Sequence, residues 1–515
     1  MYALAHAKLR GVYRIRGVAF SRAAAIGACS ILALALAACA VGPDYSRPAA
    51  PVPTHFKELK GWMLATPSDA LPRGDWWAPY RDKKLDFLMR QVEVSNQTIA
   101  AQAAAYEEAR AVIREAQAAL FPTLTANYGA TRTGTGPNAV GSGAAAGAAG
   151  HAIDTTTFEP QLSGAWDVDL WGKVRRQIEA NTAAAQASAA ELASVKLSEQ
   201  AMLATAYFNL RAADALHDLL ARSVEAYKKT QQIVQNQFKA GYSVTSADVA
   251  TAEAEVETTQ AQEVNVGVER AQYEHAIAML IGRPPAELTV AHDSLTGTIP
   301  RIPVAVPSTL LERRPDIAEA ERTVAQENAL IGVAEAAFYP DISLSGTLEW
   351  VGTHPLPFSV ANEVWSLGAA ASEPIFEGGL LSAQLDAARA SYWQSVANYR
   401  QTVLTAFQGV EDELAAIRIM TQQLRLQEDA VKNESTAVKV YTNQFQAGTV
   451  AFTTVVTAQL TLLSDEEIVL TSRQDLFLAS VTLIEDLGGG WDATLLPTQK
   501  ELQQSFSILP QLPTR

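Results

Sequence analysis

Between Lys173 and Ala240 the chain runs for 68 residues without a glycine or a proline. Between Leu380 and Ala447 it does so again, with Gly409 as the one interruption. No other feature of the sequence restricts the fold as strongly. As continuous helix each run is about 100 Å long, at 1.5 Å per residue. A globular core is much shorter than that, so each helix needs partners along its length. Leu203, Tyr207 and Leu210, then Leu216, Leu220, Val224 and Tyr227, keep mostly three- and four-residue steps and form an apolar stripe. The alanine-rich run from Ala180 to Ala206 lets a neighbouring helix approach closely. After Ala240-Gly241 and Ala447-Gly448 a second helix returns (about 247–281 and 452–487). Antiparallel coiled pairs are the natural reading.

The two runs belong to a duplicated unit. Leu170-Trp171-Gly172 matches Phe376-Glu377-Gly378, an offset of 206, and Ala240-Gly241 matches Ala447-Gly448, an offset of 207. Gly282 matches Gly488, again 206 apart, and Phe121-Pro122 matches Tyr339-Pro340. Four landmarks in one order imply two similar halves of about 200 residues, far longer than solenoid repeats. The expected organisation is a leader at 1–38, an extended segment at 39–82 and a first repeat at 83–282. A Pro-rich linker at 283–315, a second repeat at 316–490 and a tail at 491–515 follow. Each repeat should open with a helix (about 83–120 and 316–338) and carry two strands before its long helix. The run 141–150, rich in Gly and Ala, reads as a loop.

The strands alternate cleanly. In DISLSGTLEW (341–350), Ile342, Leu344, Gly346, Leu348 and Trp350 alternate with Asp341, Ser343, Ser345, Thr347 and Glu349. Segments 121–134, 155–171 and 363–376 divide in the same way. Four strands of about ten residues, apolar outward and polar inward with aromatic residues in the apolar set, fit a transmembrane β-barrel. An ordinary sandwich packed on its own core is the alternative. Four strands cannot close a barrel, since small ones need about eight, and open edges cannot sit in lipid. Several chains must contribute, and a trimer of 12 strands is the simplest closure. Asp167, Asp169, Asp341 and Glu349 are then expected to give the pore a negative lining.

Charge sets the class of partner. The chain has 40 Lys+Arg against 55 Asp+Glu and a net charge of −15, which argues against nucleic acid. Residues 1–38 hold five basic side chains and no acid, so their removal makes the rest more negative by five. A basic stretch followed by the apolar run Ala23–Ala38 reads as an export signal. The run is too short and alanine-rich for a comfortable span, and no later stretch holds 18 uninterrupted apolar residues. Leu36-Ala37-Ala38-Cys39 is similar to the lipobox of bacterial lipoproteins. That resemblance implies Cys39 as the acylated N-terminal residue, and Ala40 rather than Asp after it implies the outer membrane. Processing would remove Cys29 and leave no disulfide partner.

Signals for chemistry are few. Gly172-Lys173 lacks the earlier glycine of a phosphate loop. The seven histidines are scattered, with no His-x-x-x-His pair and no thiol ligand in the mature chain, so no metal or cofactor is expected. Glu253, Glu255 and Glu257 read as a solvated helix face. A through-channel offers no pocket for a catalytic dyad, so no enzymatic activity is expected.

Several stretches resemble one family in order: VGPDYSRP (41–48), Trp76-Trp77 with Leu85-Asp86, WDVDLWGKVRR (166–176), LERRPDIA (311–318), PIFEGG (374–379) and LGGG (487–490). Together they cover nearly all of the mature chain. They resemble the TolC-like outer-membrane factors, in particular the lipoprotein branch serving resistance-nodulation-division efflux systems. The resemblance implies a mainly α fold: a homotrimer with a 12-stranded barrel continued by a coiled-coil helical tunnel across the periplasm. It also implies a periplasmic adaptor (membrane fusion protein) and an inner-membrane transporter as partners, beside outer-membrane lipid, in a Gram-negative bacterium. The implied role is a passive exit duct for small molecules. The alternatives are a duct for one-step protein secretion and a non-porous, lipid-anchored coiled-coil scaffold.

By the same resemblance, the turns at Gly241 and Gly448 are the periplasmic tips, and the helices beyond them narrow when closed. The relatives place a Leu, an Asp and an Arg on the second-repeat helix. The matching positions here are Thr453, Thr457 and Leu460, none of which keeps the family residue. Either packing and hydroxyl hydrogen bonds lock this entrance, or the register is off by a turn. Asp248 keeps an acid near the first tip, as a gating residue or as a first-turn acid favoured by the helix dipole.

Overall fold

The computed structural model describes residues 40–58, 75–135, 153–295, 297, 299–300, 302, 307 and 310–503. Cys39 and the leader, the run 141–150 and the tail beyond 503 lie outside the described residues. The first repeat holds α1 (Lys83–Ser95), α2 (Gln97–Ala118), β1 (Thr123–Thr135), β2 (Ile153–Val168), α3 (Lys173–Lys239) and α4 (Ser246–Leu280). The second holds α5 (Pro315–Ala336), β3 (Asp341–Trp350), β4 (Glu363–Ser372), α6 (Leu380–Gln446) and α7 (Phe452–Asp486). A short α8 (Gln499–Gln503) follows. Among the described residues no helix is long and apolar enough to cross a membrane.

The two long helices are 67 residues each. Helix α3 packs on α4, α5, α2, α7 and α1, and α6 packs on α7 and α5. The main core lies where these helices meet, around Trp76, Trp77, Tyr207, Phe208, Tyr399 and Phe407. Trp76 is fully buried and donates its indole N–H to Gln200 Oε1 at 2.9 Å, which satisfies the one polar atom of the ring. The extended stretch 40–58 straps the two repeats together. Val41 N–H reaches Trp171 O, Arg176 donates to Asp44, Asn328 donates to Pro43 O, and Arg47 donates to Tyr399 Oη. Further on, Phe56 packs on Phe407, and the amides of Lys57 and Glu58 donate to the Glu411 carboxylate.

Two sequence expectations need correction. The opening helix of the first repeat does not run unbroken from 83 to 120. It breaks at Asn96, which ends α1 in an extended conformation and caps α2 by accepting from Ile99 N–H at 3.0 Å. The Asn96 amide also donates to Glu199 and to Leu280 O, so the break docks the corner onto α3 and α4. The second correction concerns the duplication. Gly172 and Gly379, not Gly378, hold the left-handed N-cap positions of the two long helices. The long helices are thus offset by 207 at both ends, whereas α4 and α7 are offset by 206. The lost residue lies in the second tip turn, 448–451 against 241–245.

The four strands form one antiparallel sheet in the order β1-β2-β3-β4. Its register sets Leu124 beside Gly164 and Gly346, Trp166 beside Leu344 and Ala369, and Leu162 beside Leu348 and Trp365. The apolar set of every strand therefore shares one face, and most of the threonines, serines and acids share the other, while Arg132, Asp154, Thr156 and Glu363 stand at the end of the apolar face away from the helices. A slip of one residue anywhere would have mixed them.

Candidate functional site

Two regions carry the residues that the sequence singles out: the sheet and the helical tips. On the polar face of the sheet, Asp167 stands beside Ser343, Asp341 beside Ser372, and Glu349 beside Gln161. Thr347 and Ser366 share a hydroxyl hydrogen bond of 2.7 Å across the strands. Asp341 lies 3.9 Å from the ammonium of Lys173, so part of its charge is offset where the sheet meets α3. Glu159 joins this face opposite Gly129. Sequence reasoning missed it, although it lies two residues before Gln161 on the same alternation.

Asp169 is not a lining acid. Strand β2 ends at Val168, and the Asp169 side chain is only 7% exposed. Its carboxylate accepts from the backbone N–H groups of Val174 and Arg175 and from the Arg175 guanidinium. It therefore caps the first turn of α3, where free N–H groups and the helix dipole favour an anion. The signal was present in the sequence, because an acid just before a Gly-capped helix is a cap in waiting.

The two tip turns share one geometry. Gly241 and Gly448 have φ of 76° and 74°. Gly241 N–H reaches Phe238 O and Tyr242 N–H reaches Gln237 O; Gly448 and Thr449 repeat the pair with Phe445 O and Gln444 O. This is the Schellman arrangement, whose left-handed residue favours glycine. Beyond the turns the tips differ. Thr245 caps α4 and accepts from Asp248 N–H, while the Asp248 carboxylate accepts from Thr245 N–H at 2.7 Å. Asp248 is thus half of a capping box. At the equivalent place α7 has Ala451 and no side-chain cap.

Thr453, Thr457 and Leu460 lie on one exposed stripe of α7. Thr457 donates its hydroxyl back to Thr453 O at 2.9 Å, so neither threonine is held by another helix through that bond. The opposite side of α7 is fixed. Phe452 and Val455 are buried with Val234, Ala252 and Phe445, and Gln459 donates to the Thr230 hydroxyl on α3. Register on this helix is therefore set from the buried side.

Two further findings depart from the sequence reading. Glu255 is not a solvated acid: one carboxylate oxygen is buried without a hydrogen-bond partner, and burial pushes its carboxyl up to about 7. The histidines are not all scattered either. His217 on α3 and His292 in the linker come within 5.6 Å, ring centre to ring centre, with Asp218 between them.

Comparison with known proteins gives one consistent answer. A family model described as "Outer membrane efflux protein" matches residues 88–283 and 306–489. The chain is similar to the "Cation efflux system protein CusC" of Escherichia coli (strain K12), 28% identical over 464 residues. That match covers 89% of this chain and 98% of CusC. It is 30% identical over 435 residues to the "Pyoverdine export outer membrane protein OpmQ" of Pseudomonas aeruginosa, covering 84% of this chain and 90% of OpmQ. Among solved structures, the outer-membrane channel OprN superposes with a TM-score of 0.79 at 28% identity, over 88% of this chain and 100% of OprN. The open state of the MtrE outer membrane channel of Neisseria gonorrhoeae superposes with a TM-score of 0.76 at 25% identity, over 88% and 99%.

Proposed function

The chain belongs to the outer membrane efflux protein family and is an outer-membrane exit duct of an efflux pump, and we propose that three copies close one pore. The observation that carries the trimer is the sheet. All four strands turn one apolar face the same way, while β1 and β4 pair on one side only among the described residues. In a bilayer, unpaired edge groups cost several kcal/mol each, so the edges must meet other copies. Three copies supply 12 strands, and α3, α4, α6 and α7 of each extend the wall into the periplasm as a tunnel. Cys39 carries the lipid anchor, which adds affinity while the barrel is the span.

The duct is passive in this reading. An inner-membrane transporter of the resistance-nodulation-division class supplies energy, and a periplasmic adaptor joins it to the tips at Gly241 and Gly448. Relatives serve cation efflux, toluene efflux and pyoverdine export, which supports small cargo over protein secretion; selectivity then belongs to the pump rather than the duct. The polar face, with Asp167, Asp341 and Glu349 directed to the lumen, favours cations.

The test is purification of the full chain in detergent, with mass measurement and conductance in planar bilayers. Three copies per particle and a cation-preferring conductance are expected. A monodisperse monomer without conductance would support the scaffold reading instead.

A further inference from the structure

We propose that His217, Asp218 and His292 form a binding site for a divalent transition ion of the zinc class, which fastens the linker between the repeats to α3. The inference rests on the fold of the first repeat and the linker, not on the channel reading.

The site is held by structure on both sides. Asp214, His217 and Asp218 are spaced i, i+3, i+4 on α3 and share one face. The linker lies along that face through built hydrogen bonds. Leu295 N–H donates to Arg211 O at 3.1 Å, Arg211 donates to Ala291 O at 2.8 Å, and Asp293 N–H donates to Asp214 Oδ2 at 3.0 Å. The Ser294 hydroxyl donates to Asp218 Oδ2. His292 is thereby placed over Asp214 and Asp218.

Its two ring nitrogens face two different carboxylates: Nδ1 lies 3.1 Å from Asp214 Oδ1, and Nε2 lies 2.9 Å from Asp218 Oδ1. A neutral imidazole donates from one nitrogen only. If Nδ1–H donates to Asp214, which is fully buried, the Nε2 lone pair points at an oxygen lone pair. With the proton on Nε2, donated to Asp218, the Nδ1 lone pair faces Asp214 instead; either neutral tautomer leaves one such repulsion, which a second proton or a metal ion removes.

His217 decides between the two. Its Nδ1 is buried without a hydrogen-bond partner and stands 3.8 Å from the same Asp218 oxygen. A proton on His292 leaves that atom unpaired, whereas a metal ion uses it. The three donor atoms lie within 4.8 Å of one another. Tetrahedral bonds of about 2.0–2.1 Å set donors about 3.3 Å apart. To reach that spacing the His292–Asp218 pair at 2.9 Å opens slightly and the His217–Asp218 pair at 3.8 Å closes, movements open to half-exposed side chains. Two imidazoles and a carboxylate suit zinc, copper or nickel rather than magnesium or calcium. Asp214 on the far nitrogen of His292 is the carboxylate–histidine arrangement that orients metal ligands. Glu263, 3.8 Å from His217 Nε2, adds negative charge beside the second imidazole. Water completes the fourth position.

The test uses the full chain, purified without a histidine tag, stripped with chelator and titrated with Zn²⁺ against a chromophoric competitor. One ion per chain is expected. His292→Ala and His217→Gln should each weaken binding tenfold or more, with particle mass and helix content unchanged. Zn²⁺ should slow proteolytic cleavage of the linker at 283–307 in the parent and not in His292→Ala. Stoichiometry near zero in the folded parent, or affinity unchanged in both variants, overturns the proposal. Binding that survives in His292→Ala but not in His217→Gln overturns the linker's part in it.

Discussion

Replacing Leu344 by arginine asks directly whether the apolar face of the sheet meets lipid. Leu344 sits between Trp166 and Ala369 on that face. Strand β3 has ten residues, so at about 3.4 Å each it is about 34 Å long. Tilted by about 40°, it rises about 26 Å, close to the apolar band of a membrane barrel. Leu344 is the fourth of the ten, about 5 Å along the strand from its centre and about 4 Å in depth from the midplane. Arginine there should carry nearly the full midplane cost of roughly 2–4 kcal/mol per chain. That is about 30- to 900-fold in assembly, and a trimer takes it three times over.

Ser345→Arg is the matched control. Its neighbours are Ala165 and Gly368 on the polar face, and Gly368 leaves room above it. Trimer yield on semi-native gels should collapse for Leu344→Arg, with Leu344→Ala near the parent. Ser345→Arg should keep the trimer and reduce cation preference in planar bilayers. Equal tolerance at 344 and 345 would mean that this face is not in lipid, and the barrel argument would fail with it.

Other outcomes follow from single residues. Cys39→Ser should abolish lipid labelling and slow arrival at the outer membrane, yet leave trimers possible; labelling that persists refutes the lipobox assignment. Glu255 holds its proton up to about pH 7, against an ordinary carboxyl near 4.5. As pH rises through that window the unfolded chain ionises first, so stability falls between about 4.5 and 7 and is level above. Glu255→Gln should flatten the slope and add on the order of 1 kcal/mol at pH 8, read as the melting of helical circular dichroism. Thr457→Asp should loosen the closed entrance by like-charge repulsion between copies, and adding Leu460→Arg should restore it in part, both read as single-channel conductance; a parent-like Thr457→Asp refutes the assigned register. Ala451→Asp supplies the cap that α7 lacks and should stabilise its first turn by roughly 1 kcal/mol, seen as slower amide exchange at residues 452–455.

The long helices and the strand faces were legible because both rest on local, periodic signals. Absence of Gly and Pro across 173–240, and of all but Gly409 across 380–447, leaves helix as the one regular structure of that length, and alternation around Leu344 fixes which atoms share a face. What escaped was set by neighbours far away in sequence. Asn96 looks helical by itself, but Glu199 and Leu280 O give its amide a better use at a corner. Glu255 looks like any acid on a polar stretch until its own fold closes over one oxygen. His217 and His292 share no spacing pattern, because an extended linker has no period and its register on α3 comes from backbone bonds to Arg211 and Asp214.

The tips show the same limit at finer grain. A repeat offset of 206 or 207 looks like noise in a list of landmarks, yet the one-residue difference is localised to the second turn, where 448–451 does the work of 241–245. That deletion brings Ala451 to the cap position that Thr245 holds in the first repeat, and with it goes the partner that Asp248 has. Two helices built on one plan therefore start differently: α4 with its first N–H groups bound, α7 with no side chain to bind them. A cap contributes about 1 kcal/mol, on the scale of a modest shift in a two-state equilibrium. The buried side of α7, held by Phe452, Val455 and Gln459, fixes its register but not its first turn. The uncapped start thus falls in the second repeat, on the helix that also carries the exposed stripe of Thr453, Thr457 and Leu460.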